Sequence, residues 1–185
     1  MSKLRAMIEG VLAVDPSADA LEFEKAWLSW GDLAAQAKAV DDALSEAGLG
    51  AGARIGVILR NRAPMAPVLL CLFSTDRCLA TLNGAAPDEY LVADLRKAEA
   101  PVLIALAQDW ARADVRAAAE ETGARLIELT GDKAAPVRVL HAGDPARWTR
   151  RDAPDVAIEM LTSGTTGTPK RIPLDRRKFE TALLG

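Results

Sequence analysis

The segment that decides the fold is "ARIGVILRNRAPMAPVLLCLFSTDRCLATL", residues 53–82. It begins with "ARIGVIL" at residues 53–59, a run of aliphatic and β-branched residues that is typical of a strand covered on both faces. "APMAPVLLCLFST" at 63–75 predicts a buried helix, and "RCLATL" at 77–82 predicts a second strand. A strand, a helix and a strand in this order indicate a parallel pair joined by a crossover helix.

Before this segment, the pattern predicts one helix, two short strands and a second helix. "KLRAMIEGVLAV" at residues 3–14 has helical spacing, and residues 20–30 read as two short strands about a turn. Ser29 and Asp32 resemble a capping box with Asp in place of Glu, so we expect a helix to begin there. Gly48 is expected to end that helix.

After the same segment, helices and strands continue to alternate. A helix is expected to begin at Pro87, "PVLIAL" at residues 101–106 to form a strand, and residues 109–122 to form one helix that Gly123 ends. "RLIEL" at 125–129 predicts a further strand.

The remaining chain completes the predicted sheet. Residues 130–155 are polar and contain several prolines, which favours a connecting segment with one short strand near 137–140. Strands are predicted again at "VAIEML", residues 156–161, and at "RIPL", residues 171–174. Alternating strands and helices favour an α/β fold in which helices cover both faces of a parallel sheet.

Composition indicates an ordinary globular domain. The chain has 185 residues, 50% of them hydrophobic, and a formal net charge of -3. Its longest apolar run, residues 64–73, is shorter than the roughly 20 residues that a membrane-spanning helix needs. The start of the chain lacks the apolar segment and cleavage site of a secretory signal, so a cytoplasmic location is expected.

Cysteine and histidine usage argues against several kinds of site. Cys71 and Cys78 both have aliphatic neighbours, which favours buried reduced thiols over a disulfide or a metal pair. His141 is the only histidine and has no companion at ligand spacing. These features disfavour most metal sites, and every histidine-based triad that lacks a partner chain.

The most distinctive motif is "TSGTTGTPK", which runs from Thr162 to Lys170 between two predicted strands. It is not a Walker A loop, because the fifth residue after Gly164 is Pro169 and Lys170 is followed by Arg171 rather than Ser or Thr. Glycines expose backbone N–H groups, hydroxyls add donors and the lysine adds positive charge. The motif therefore predicts a loop that wraps a polyphosphate.

This motif resembles the phosphate-binding signature of the adenylate-forming enzymes, which include AMP-forming acyl-CoA synthetases, peptide-synthetase adenylation domains and luciferases. "LSWGDL" at residues 28–33 resembles the opening box of that family, and "AGLGAGARIGVILRN" at 47–61 resembles its step from helix through Gly to strand. "LATLN" at 79–83 stands where the family has Pro-Leu-Asn. The resemblance covers almost the whole chain.

The resemblance implies a site that binds and positions ATP. The implied phosphate-binding residues are Thr162, Ser163, Gly164, Thr165, Thr166, Gly167, Thr168, Pro169 and Lys170. It also implies Mg²⁺ with the nucleotide and CoA as a co-substrate. None of these side chains is expected to act as acid, base or nucleophile. Because the motif has glycines and small hydroxyl residues without apolar anchors, residues 164–168 are expected to be mobile without nucleotide.

Two positions depart from the family pattern. Asp76 stands where a Gly is usual, between the predicted buried helix and the next strand, and this changes a turn without touching the chemistry. Arg171 stands where a Gly commonly follows the loop lysine, so the exit from the loop should be stiffer and more basic. We expect its side chain to face solvent, with a phosphate contact as the alternative.

The resemblance also implies how much of an enzyme this chain represents. In the family, the adenine and ribose contacts, the acyl pocket and the lysine of a small C-terminal domain all follow the phosphate loop. Residues 1–185 are therefore expected to be the first part of the large N-terminal domain of an enzyme that activates a fatty or related acid. Alternatives are an adenylation domain that feeds a carrier protein, and a non-catalytic nucleotide-binding or scaffold module.

Two surface features complete the predictions. Basic residues cluster at Lys170, Arg171, Arg176, Arg177 and Lys178, and an acidic chain without interleaved aromatic residues favours a solvated helix face beside an anion site over nucleic-acid binding. Apolar side chains near Ile158, Met160, Ile172 and Leu174 are expected to be exposed or covered by a neighbouring copy. Self-association through this surface is the expected outcome.

Overall fold

The computed structural model describes residues 2–162 and 170–184, with seven α-helices and nine strands in those ranges. In chain order they are α1 (Lys3–Val14), β1 (Asp19–Phe23), β2 (Ala26–Ser29), α2 (Trp30–Glu46), β3 (Arg54–Leu59), α3 (Met65–Ser74), β4 (Cys78–Asn83), α4 (Asp88–Ala98), β5 (Val102–Leu106), α5 (Ala107–Trp110), α6 (Ala113–Glu121), β6 (Arg125–Leu129), β7 (Val137–His141), β8 (Val156–Thr162), β9 (Lys170–Asp175) and α7 (Arg176–Leu184). The short connecting strand predicted near residues 137–140 is β7, and a 3₁₀ turn follows it at Pro145–Arg147. The predicted order of elements is therefore largely confirmed.

The main sheet has seven strands in the order β7-β6-β5-β3-β4-β8-β9. Its five central strands are parallel, as the sequence predicts. Both edge pairs, β6–β7 and β8–β9, are antiparallel, so the sheet is mainly parallel, in agreement with the predicted fold class. Only seven residues separate the strands of each edge pair, whereas a parallel crossover needs about a dozen or more.

Helices cover both faces of the sheet, as expected for this fold class. On one face, α2 and α3 pack against strand residues that include Ile55 and Val57. On the other face, α4 and α6 pack against residues that include Ile58 and Leu103. Because neighbouring residues of a strand point to opposite faces, β3 contributes to both clusters and is buried from Arg54 to Ile58.

One predicted helix is wrong. Residues 109–122 were expected to form a single helix, but the chain forms α5 and α6 with a break between them. The break has tertiary causes: Trp110 is buried and its Nε1 donates to the carbonyl of Ile127 at 3.0 Å. Arg112 is extended, and its guanidinium binds the Asp88 carboxylate and the carbonyl of Ala86.

Both cysteines are free and buried, as the sequence predicts. Burial raises the pKa of the Cys71 thiol to about 12 and that of the Cys78 thiol to about 11. Neither thiol is therefore activated as a nucleophile at neutral pH. Helix α3, which carries Cys71, packs into the core, in agreement with the prediction of a buried helix.

Candidate phosphate-binding site

Two of the nine predicted site residues are described by the structure. Thr162 is the last residue of β8, Lys170 is the first of β9, and the two are paired across the strands. The Thr162 hydroxyl donates to the carbonyl of Lys170 at 3.3 Å. The other seven, Ser163, Gly164, Thr165, Thr166, Gly167, Thr168 and Pro169, lie outside the described residues, and so does the mobility expected for 164–168.

The sheet places this pair at an edge suited to ligand binding. Strand β8 runs parallel to β4, with Leu79 opposite Ile158, so Thr162 and Asn83 end their strands at the same side of the sheet. In open α/β sheets, ligands bind outside the carboxyl ends of the strands. The ends of the predicted motif are thus at the position where such folds bind ligands.

A cavity of about 470 Å³ lies beside Thr162, between α4 and the ends of β4 and β8. It is lined by Asn83, Ala86, Tyr90, Leu91, Ala93, Asp94, Lys97, Leu161 and Thr162. Most of these side chains are apolar, and the charged groups are Asp94 and Lys97. The predicted phosphate-binding motif therefore begins at the wall of an open cleft rather than on a closed surface.

Arg171 does not face solvent, which corrects the expectation from sequence. Its side chain is 12% exposed, its Nη2 lies 2.7 Å from Oδ1 of Asp94 in α4, and its Nη1 donates to the carbonyl of Thr81 in β4 at 3.2 Å. Strand alternation explains this placement, because Arg171 follows Lys170 and points to the sheet face that α4 covers. Burial raises the pKa of the Asp94 carboxyl, although the positive charge of Arg171 opposes that shift.

Asp76, the other departure from the family pattern, adopts a left-handed backbone conformation with φ of 56°. A Gly would adopt this φ without strain, whereas Asp is one of the few other residues that tolerate it. Arg176 binds this turn: its Nη2 donates to the carbonyls of Asp76 and Val156 at 2.8 and 3.1 Å, and its Nη1 lies 3.5 Å from the Asp76 carboxylate. The turn is therefore formed without Gly and fastened to the start of α7.

The predicted solvated basic cluster is only partly correct. Lys170, Arg177 and Lys178 are exposed, but the side chains of Arg171 and Arg176 are 12% and 14% exposed and hold ion pairs. Two of the five positive charges are thus paired with carboxylates of the protein. The cluster presents less free charge to an anion than the sequence implies.

The sequence did not predict a buried ion pair that joins β3 and β8. Arg54 of β3 and Glu159 of β8 are 1% and 5% exposed, and Nε of Arg54 donates to Oε1 of Glu159 at 3.0 Å. Arg54 also donates to the carbonyl of Ala98 at the end of α4. Although burial raises the pKa of Glu159, the hydrogen bond and charge of Arg54 outweigh it and lower that pKa. The available signal was one charge inside each of two apolar strand motifs, "ARIGVIL" and "VAIEML".

Within residues 2–162 and 170–184, no three His, Cys, Asp or Glu side chains are grouped to hold a metal ion. Near Thr162, the Asp94 carboxylate already pairs with Arg171. The described residues therefore provide no carboxylate cluster for Mg²⁺.

The helices in the described ranges are each too short or too polar to span a membrane.

This chain resembles known proteins over most of its length. The profile of the family described as "AMP-binding enzyme" matches residues 8–185. A medium/long-chain-fatty-acid–CoA ligase of Mycobacterium tuberculosis, FadD6, is 29% identical over 169 residues, which cover 88% of this chain and 27% of that protein. The nonribosomal peptide synthetase agiA of Aspergillus flavus is 26% identical over 127 residues, covering 68% of this chain and 2% of that protein.

Solved structures show the same fold. The crystal structure of ATP-bound MatB from Rhodopseudomonas palustris superposes with a TM-score of 0.72 at 22% identity, over 98% of this chain and 36% of that one. The matched part of this chain therefore spans only about a quarter to a third of the lengths of FadD6 and MatB.

Proposed function

Because this chain belongs to the AMP-binding enzyme family, we propose that its β8–β9 pair and the motif between those strands bind the triphosphate of ATP. The chain would supply this site to an enzyme that activates a carboxylic acid as an acyl-adenylate. In this proposal residues 1–185 are the N-terminal portion of the adenylation domain. Mg²⁺ is proposed to accompany the nucleotide as MgATP, as the resemblance to adenylate-forming enzymes implies.

One observation carries the proposal: Thr162 and Lys170, the first and last residues of "TSGTTGTPK", are paired in register at the carboxyl end of β8. Pairing brings the two ends of the motif together, beside the cleft that Thr162 lines. The backbone N–H groups, hydroxyls and lysine ammonium that the motif contains are donors and positive charge for a polyphosphate.

The chemistry assigned to these residues is electrostatic. When an acid carboxylate attacks the α-phosphate of ATP, the bond to pyrophosphate breaks and negative charge grows on the leaving group. The Lys170 ammonium and the hydroxyls of Thr165 and Thr166 would stabilise that charge, and the N–H groups of Gly164 and Gly167 would hold the phosphates for in-line attack. No proton transfer is assigned to this chain.

The second step needs a thiol acceptor, and we propose CoA. The match to a fatty-acid–CoA ligase supports this choice and suggests a fatty or related acid as substrate. A cytoplasmic location, expected from the sequence, is part of the proposal. The match to a peptide synthetase supports the alternative, in which the adenylate passes to a carrier protein. A third alternative is a non-catalytic nucleotide-binding or scaffold module.

The proposal is tested by ATP–pyrophosphate exchange in the full-length protein that contains this chain. We expect Lys170→Ala and Thr165→Ala each to slow exchange by roughly 10- to 1,000-fold, as for loss of one charge-stabilising donor. Lys178→Ala is the matched control, because Lys178 is also an exposed lysine but lies in α7, outside the motif. All three variants should fold.

The outcomes separate the alternatives. Exchange at the parental rate in both motif variants would refute the assigned role of the loop. Exchange by the parent protein followed by formation of an acyl-CoA identifies CoA as acceptor, whereas exchange without thioester formation favours a carrier protein. Absence of exchange with a broad panel of acids favours the non-catalytic module.

A further inference from the structure

Strand β9 is fastened at both ends by an arginine that reaches into the protein. Arg171, its second residue, binds Asp94 and the carbonyl of Thr81. Arg176, the residue after the strand, binds the turn at Asp76 and the carbonyl of Val156. The strand is otherwise paired on one side only, with β8.

The contacts of Arg171 span three elements. Its side chain leaves β9, crosses β8 and reaches both β4 and α4, where Asp94 is 77 residues away in sequence. Oδ2 of Asp94 and Nε of Arg171 are buried and have no hydrogen-bond partner among the described residues. The pair is therefore held through one guanidinium nitrogen to one carboxylate oxygen, and the carbonyl of Thr81 supplies the second contact.

The backbone of Arg171 is directly bonded to that of Lys170. Lys170 has only the pairing with Thr162 to fix it from the β8 side, because it is the first residue of an edge strand. Strand ends fray when their local contacts are few. The contacts of Arg171 with α4 and β4 limit fraying at Lys170, whose side chain is the proposed phosphate ligand.

We propose that Arg171 is a positioning residue for Lys170, acting through its contacts with Asp94 and Thr81. This inference depends on the proposed function, since it assigns the ammonium of Lys170 to the nucleotide. Arg171 itself does not touch substrate in this assignment, because its guanidinium is occupied on the face covered by α4. Arg171, which replaces the usual Gly, thus fixes the backbone directly after the motif.

Arg176, which directly follows the same strand, provides a matched control. It is comparably buried, it holds an ion pair with Asp76, and it lies at the far end of β9 from Lys170. If β9 matters only as part of the folded sheet, loss of either arginine should have the same effect on nucleotide use. If Arg171 positions Lys170, only the loss of Arg171 should change it.

The test compares Arg171→Gln, Arg171→Lys and Arg176→Gln in full-length protein. We expect Arg171→Gln to raise the KM for MgATP in pyrophosphate exchange about tenfold, because misplacing a charged ligand weakens its contact with phosphate. The KM for the acid should be unchanged. Arg171→Lys keeps a donor toward Asp94 and should show a smaller rise, and Arg176→Gln should keep the parental KM for MgATP.

A second readout does not depend on activity. Amide hydrogen exchange of Lys170 and Arg171 should accelerate in Arg171→Gln and stay at the parental rate in Arg176→Gln. Parental values of either the KM or the amide exchange in Arg171→Gln would overturn the inference, as would an equal rise in KM for Arg176→Gln. A parent protein without pyrophosphate exchange would refute the proposed function instead. The amide measurement would still test whether the contacts of Arg171 hold the start of β9. If Arg171→Gln does not fold, Arg171→Lys decides the question by the same two measurements.

Discussion

Asp94 and Glu159 are two buried carboxylates that face arginines yet differ in the direction of their pKa shifts. Glu159 accepts two hydrogen bonds from Arg54 and lies near Arg150, so its pKa is lowered. Asp94 has a single contact with Arg171 and a second oxygen without a described partner, so burial dominates and its pKa is raised. The number of donors around each carboxylate explains the difference.

These shifts predict opposite pH dependences of stability. The lowered pKa of Glu159 means that its contribution is present above the ordinary value of 4.5 and is lost as pH falls through the folded value. The raised pKa of Asp94 means that the folded state binds its proton more tightly, so its contribution falls as pH rises from 3.8 through the folded value.

The measurement is urea unfolding of the parent, Glu159→Gln and Asp94→Asn between about pH 3 and 7. The free energy of unfolding of the parent minus that of Glu159→Gln should rise with pH. The same difference for Asp94→Asn should fall. Slopes of the same sign for the two pairs would contradict the assigned contacts.

Helix α2 is an element whose start is determined by local sequence. Ser29 Oγ accepts from the backbone N–H of Asp32 at 3.1 Å, and the Asp32 carboxylate accepts from the N–H of Ser29 at 3.0 Å. This capping box satisfies donors that the first turn of a helix leaves free. The helix then buries Ala37, Val40 and Leu44 against the sheet.

Removing the cap should weaken the whole protein. We expect Ser29→Ala to lower the free energy of unfolding by about 1 kcal/mol, the typical cost of losing a helix N-cap. Ser29→Thr keeps the hydroxyl acceptor and should lose less. Denaturant unfolding of the three proteins measures this, and an equal loss in both variants would show that the hydroxyl is not responsible.

In the molecule as a whole, the β8–β9 edge exposes an apolar surface. Met160, Ile172 and Leu174 are 43%, 44% and 36% exposed, while Ile158 is partly buried against the core. Pro173 lies between two of these residues and has no N–H to pair with another strand, which disfavours association by strand addition. A copy that covers this surface would therefore do so by side-chain packing.

We predict that the 185-residue chain self-associates through this surface. Sedimentation velocity should show a concentration-dependent increase in mass, and Ile172→Asp should reduce it by introducing a charge into the contact. Val139→Asp is the control, because Val139 is similarly exposed on β7 at the opposite edge of the sheet. A monomer at all concentrations, or equal effects of the two substitutions, would contradict the prediction.

We also predict that the 185-residue chain alone does not catalyse pyrophosphate exchange. The proposed site contacts only the β- and γ-phosphates, and the association cost of several kcal/mol limits ATP binding to about millimolar or weaker. Exchange assays with a panel of acids and titration calorimetry with ATP measure both quantities. Clear exchange by a monodisperse monomer would mean that these residues contain a complete site.

Local sequence determined the features that depend on neighbouring residues. Hydrophobic periodicity predicts almost every helix and strand, and Ser29 with Asp32 predicts the start of α2. The order of elements then predicts the parallel centre of the sheet, and the apolar segments on either side of the motif predict that residues 162–170 connect two strands. In each case the interacting groups are within a few residues of each other or follow a repeating pattern.

Only the tertiary structure decided which charges are buried and how they pair. Arg54 and Glu159 are 105 residues apart and Arg171 and Asp94 are 77 apart, so no local pattern specifies these partners. The break between α5 and α6 has the same origin, because Trp110 and Arg112 bind groups on other elements. Arg171 reads as a solvated residue in sequence, since exposure is the usual state of arginine. It is buried because helix α4 brings a carboxylate over the sheet face to which it points, and the ion pair offsets part of the cost of removing both charges from water.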